Sequence, residues 1–120
     1  MSWIIPANPA NYDVAAGFRR EGTLVWHMRP RVLPGDFIYI YETMPIGAVL
    51  FKCEVVEADL PYHSEWHPNC TRAMRIKLLR TYEPGLLDRA FLRKCGVTNV
   101  RSARTATPEF VRAVAEIERK

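Results

Sequence analysis

Long apolar runs, glycine-rich loops and paired cysteines are scarce in this sequence, and each absence removes a class of function. No apolar stretch approaches the roughly 18 residues that crossing a bilayer takes, so no membrane span is expected. The N-terminus lacks a basic start followed by an apolar stretch. No secretory signal is read there, and a cytoplasmic location is expected. Three cysteines, Cys53, Cys70 and Cys95, are odd in number and widely spaced, which argues against a disulfide framework. Cys53 lies in an apolar run and reads as a small core residue. There is no glycine-rich phosphate loop, and no cofactor is expected. No Ser, His and Asp fall into a recognisable arrangement, and no nucleophile has an evident base. The chain therefore reads as a binding protein with no catalytic residue. Repeats, linkers and low-complexity segments are also missing, and 120 residues make one domain, 1–120.

What is present is an ordinary globular composition, 48% apolar and 25% charged, with a net charge of +4. Thirteen arginines stand against four lysines, and the planar guanidinium suits phosphates and stacked bases. An acidic partner is favoured over a basic one.

Residues 3–7 read as a strand. Asp13 caps a short helix that ends near Arg20 or Glu21, with Gly22 as its stop. "TLVW", 23–26, is extended, and "HMRPRVLPGD", 27–36, is a loop with a Pro-Gly turn. "DFIYIYE", 36–42, alternates Phe37, Tyr39 and Tyr41 against Ile38 and Ile40, a strand with its aromatics on one face. A turn at 43–47 leads to a long strand over 48–60, a polar loop over 61–70 and a strand over 71–83. Helical spacing runs through 84–96, and 97–104 is a short strand or an arginine-rich loop. Thr107 and Pro108 open a last helix that runs to about Arg119. Short strands with interspersed helices make an α+β fold, and the long strands favour a partly closed barrel.

Taken in order, "WIIPANPANYD", Trp26 after a short helix, "LPGDFIYIYE" and "FKCEVVEADLP" resemble the EVE domain. That domain belongs to the PUA-like group, with YTH and ASCH modules. The signature that opens its central strand is matched by Leu33-Pro34-Gly35-Asp36-Phe37-Ile38-Tyr39, and its closing motif by Gly96-Val97 through Arg101 and Arg104. The resemblance covers nearly the whole chain. It implies a five- or six-stranded mixed pseudo-barrel flanked by short helices. It also implies a concave aromatic pocket for a flipped, often modified nucleobase. Two segments depart from the family pattern: the turn at Ala7-Asn8-Pro9, and His27-Met28-Arg29-Pro30 after Trp26. Both would line the pocket, so ligand identity does not carry over.

Each site residue has a bland reading beside the functional one. The Asn8 amide, stiffened by Pro6 and Pro9, can match a base edge, or it can simply make a turn. Trp26 precedes a basic loop and can serve as a stacking platform or as core. Trp3 reads as core. Tyr39 and Tyr41 share a face, and one of them can line the pocket or both can pack. Arg101, Ser102 and Arg104 precede the last helix and are candidate phosphate contacts, as are Arg29 and Arg31 beside Trp26. His63, His67 and Cys70 lack a fourth ligand at usual spacing, so no metal site is expected.

These residues support a reader of a modified base in DNA or RNA, with any cutting left to a separate nuclease or modification enzyme. The alternative is a small-molecule or nucleoside binder, or an ASCH-type hydrolase, drawing on Lys52 with Glu54 or Glu42. A third reading is an interaction domain without a base pocket, favoured if Trp26 is fully buried and Asn8 points to solvent.

Overall fold

Asp36 ties together both ends of the first third of the chain. A computed structural model describes residues 1–119. In it, one Asp36 oxygen accepts from the Trp3 indole N–H (3.1 Å) and the Leu33 amide (3.0 Å). The other oxygen accepts from the Met1 ammonium at 3.1 Å. Burial alone would raise this carboxyl's pKa, but the converging donors outweigh it and hold the group below the ordinary aspartate value. The Leu33–Asp36 signature is thus a structural clamp. Gly35, at φ 94°, supplies the left-handed turn it needs.

The clamp aligns β1 (Ser2–Ala7) parallel to β3 (Phe37–Glu42), with Trp3 opposite Ile38. Between them lie α1 (Val14–Glu21) and β2 (Thr23–His27). The Asp13 side chain caps α1 by accepting from the Ala16 amide, and Gly22 closes it at φ 75°. β4 (Ala48–Pro61) and β5 (Arg72–Thr81) follow, then α2 (Arg89–Lys94), β6 (Arg104–Thr105) and α3 (Pro108–Glu118). The sheet order is β2-β5-β4-β3-β1-β6, antiparallel except for β1 with β3. Six strands of mixed direction and three short helices give the expected α+β architecture. The expected barrel closure is not seen among the described residues, because β2 and β6 end the sheet without pairing.

Alternation along β3 sends its side chains to two separate cores. Ile38 and Ile40 join Phe18, Phe51, Met74 and Ile76 on one face. Tyr39 and Tyr41 join Val49, Leu87, Leu92 and Phe110 on the other, beneath α2 and α3. Tyr39 meets Phe110 edge-on, with centroids 5.0 Å apart. α3 is held further by Lys52, whose ammonium donates to both Glu118 oxygens at 3.0 and 3.1 Å, and by the Tyr82 hydroxyl, which donates to Glu118 at 2.8 Å.

The helical spacing over 84–96 is only partly realised. α2 begins at Arg89 because the Asp88 side chain caps it, accepting from the Phe91 amide. Leu87 is fully buried ahead of the helix, where its carbonyl accepts from the Val49 amide. Its apolar character reflects that anchorage, not a helix face.

Candidate functional site

β2, at one end of the sheet, and β1, next to the other end, face one cavity of about 760 Å³. β1 contributes Ile5, Pro6 and Ala7 from one side, and β2 contributes Val25, Trp26 and His27 from the other. The floor includes Met74 of β5. Around the rim run the turn after β1, the loop after β2, the 62–70 loop and the segment before β6.

Five of the nine sequence-selected residues meet here: Asn8, Trp26, Arg29, Arg101 and Ser102. The Asn8 carbonyl oxygen accepts from the Ala10 amide at 3.0 Å, and its backbone carbonyl accepts from the Asn11 and Tyr12 amides. The turn reading and the site reading are therefore both partly right. One side of the amide builds the loop, which fixes its orientation, and the NH2 group has no protein partner among the described residues. Trp26 is half-buried, packed against the first core beneath it, with Tyr12 edge-on at 6.0 Å. It is neither fully buried nor free, as a stacking platform with a fixed base would be.

Four selected residues do not join this cavity. Pro9 stands outside its lining. Arg104 lies in β6 opposite Ile4, and its Nε–H is directed to the Thr105 carbonyl. Tyr39 is buried in the second core, where burial and the neighbouring Glu118 charge push its hydroxyl up to about 12. Tyr41 is on that same face and reaches only a second, smaller cavity. The aromatic face of β3 is thus its helix-covered face. Arg31 is exposed and also lies outside the lining.

Sequence reasoning missed the contribution of the 62–70 loop. Tyr62, Ser64, Trp66 and His67 all line the cavity. His67 stacks on His27 with centroids 3.8 Å apart, docking the loop on β2. Burial, then the His67 and Arg29 charges, push the His27 pKa down to about 4. His27 is therefore neutral at pH 7. Trp66 is 83% exposed. A Trp and two His in an otherwise polar loop were the signal available. Cys70 does not offer its sulfur to a metal: the buried thiol donates to the Met28 and Arg72 carbonyls. Among the described residues no three metal-ligating side chains converge.

The electrostatics are one-sided. Neither cavity is lined by an Asp or a Glu, although the chain has thirteen. Arg29 and Arg101 make no ion pair among the described residues. A concave surface with cations and no carboxylate focuses positive potential. The residues named for a hydrolase are not assembled here. Lys52 is tied to Glu118, and Glu54 and Glu42 stand outside the lining. Glu42 is buried, and burial together with Asp13 raises its pKa.

No protein-family model and no curated protein matches the sequence. Solved structures do match. The ASCH protein of Zymomonas mobilis superposes with a TM-score of 0.67 at 13% identity, covering 97% of this chain and 94% of that one. A protein of Agrobacterium tumefaciens gives 0.70 at 15% identity, covering 97% and 91%. A hypothetical protein of Leishmania major gives 0.68 at 14%, covering 98% and 94%. Likeness at such identity is likeness of fold, and here it extends over nearly the whole chain. The chain shares the α+β fold of the ASCH protein.

Proposed function

We propose that this chain is a nucleic-acid-binding module that takes an unstacked nucleobase into the cavity between β1 and β2. The observation that carries the reading is one cavity holding aromatic faces, a positioned amide and unpaired arginines, with no carboxylate in its lining. A base would stack on Trp26, with the Asn8 NH2 donating to an acceptor on its edge. Arg29 and Arg101 would meet the backbone. Pre-packing of Trp26 and the turn around Asn8 lower the ordering cost of binding.

The EVE-like order of motifs extends the proposal to a modified base in DNA or RNA. Binding without cutting is the reading adopted, since Lys52 is tied to Glu118 and neither Glu54 nor Glu42 lines the cavity. Any strand cleavage falls to a separate nuclease or modification enzyme.

Chemical-shift mapping tests this. ¹⁵N-labelled protein is titrated with random-sequence single-stranded DNA and RNA hexamers. The expected shifts cluster at the Trp26 indole, the Asn8 side-chain amide and the Arg101 and Ser102 amides. Shifts centred elsewhere, with these signals unmoved, contradict the assignment.

A further inference from the structure

A second cavity, of about 210 Å³, adjoins the first and shares Thr43 and Arg101 with it. It opens between the turn after β3, the start of α2 and the loop before β6. Arg89, the first residue of α2, lines it opposite the Thr98–Arg101 segment. The aliphatic stem of Arg89 passes beside Gly47, close enough that a Cβ there would stand 3.4 Å from Arg89 Cδ. Arg89 and Arg101 make no ion pair among the described residues, whereas Lys52, Arg72, Arg75, Arg112 and Arg119 do. The nearby Asp88 carboxylate is committed to the Phe91 amide. Hydroxyl and amide side chains of Tyr41, Thr43, Thr98 and Asn99 complete the wall.

We infer that this second cavity is a phosphate-binding subsite, in which Arg89 and Arg101 share one phosphate and Thr43, Thr98 and Asn99 supply neutral donors. Two arginines in one cavity whose lining holds no carboxylate suit a tetrahedral oxyanion. The volume of about 210 Å³ is enough for a phosphate with its ester oxygen. Because Arg101 and Thr43 border both cavities, a phosphate here would sit next to a base in the larger one. The inference rests on the base-binding reading for that placement only.

The test uses full-length ¹⁵N-labelled protein at low ionic strength, observed at the arginine Nε–Hε and backbone amide signals. It is titrated separately with sodium phosphate, with the four ribonucleoside 5′-monophosphates, and with random-sequence RNA hexamers lacking terminal phosphates. In the phosphate titration the Arg89 and Arg101 Nε–Hε and the Thr98 and Asn99 amides should shift together. Arg89→Gln, an exposed position, should weaken that response about tenfold, the scale of one charge-assisted hydrogen bond. Monophosphates shifting these signals without the hexamers support the subsite as a nucleotide pocket, and hexamers shifting them support it as a backbone contact. If Arg89 and Arg101 respond but the Trp26 indole does not, the subsite stands and the base reading falls. If Trp26 responds but Arg89 does not, the base reading stands and the subsite falls. Equal small shifts at Arg19, Arg20, Arg93 and Arg89 would mean diffuse counter-ion attraction and overturn the proposal.

Discussion

Two side chains show how one residue can be structural and another poised within the same short stretch of fold. Asp36 is only 7% exposed and takes three donors, so its loss is felt by β1 and the 33–36 turn together. Asp36→Asn turns an NH2 group toward a donor and should cost about 1–3 kcal/mol, read as a lowered Tm. An unchanged Tm would mean that the clamp contributes nothing. The sign of its pH dependence follows from a depressed carboxyl: the stabilisation is present above the ordinary aspartate pKa and is lost as pH falls through the folded value. His27 behaves differently. Its folded pKa of about 4 lies below the ordinary histidine value of 6.5, so neutral His27 favours the folded state above 6.5. That stabilisation is lost as pH falls from 6.5 towards 4, while His67 and Arg29 oppose a further positive charge. An imidazole NMR titration should place the His27 midpoint well below that of an exposed histidine. A midpoint near 6.5 would contradict the stacked, half-buried arrangement.

Among the elements, α1 shapes the cavity through what it lacks. Gly17 is buried in mid-helix, where alanine would ordinarily gain about 0.5–1 kcal/mol. Here a Cβ would run into the Tyr12 hydroxyl and stand 2.7 Å from Leu24 Cδ2. Overpacking costs about 1–3 kcal/mol and should win, so Gly17→Ala should lower Tm and displace Tyr12 from beside Trp26. Thermal melts read the first effect, and the Trp26 indole shift reads the second. A raised Tm would show that Tyr12 yields freely. The ends of α1 and the start of α3 were legible because their signals are local: Asp13, Gly22 and Thr107 act through bonds to residues within four positions. The Asp88 cap that starts α2 was not read within the helical spacing over 84–96. The face of β3 was not legible. Both of its faces are buried, and alternation separates Ile38 from Tyr39 without saying which side meets the cavity. Nor could local pattern place Lys52 beside Glu118, which lies 66 residues away.

Across the whole molecule, the clearest charge feature is the lining of the two cavities, which holds Arg29, Arg89 and Arg101 and no Asp or Glu. This feature was only half legible. Asn8, Trp26, Arg29, Arg101 and Ser102 could be selected by residue type and order, since aromatics and arginines beside prolines mark such surfaces. Tyr12, Trp66, His67 and Arg89 reach the cavities only through the curl of the sheet and the docking of loops. The most direct test is fluorescence-polarisation titration of wild type and Trp26→Ala. The probes are single- and double-stranded DNA and RNA carrying plain, methylated or hydroxymethylated cytosine or adenine. The prediction is preference for one base, weakened in Trp26→Ala by about 1–3 kcal/mol, roughly five- to 150-fold. Equal, weak binding to every probe, unchanged by the substitution, would contradict a base-binding cavity.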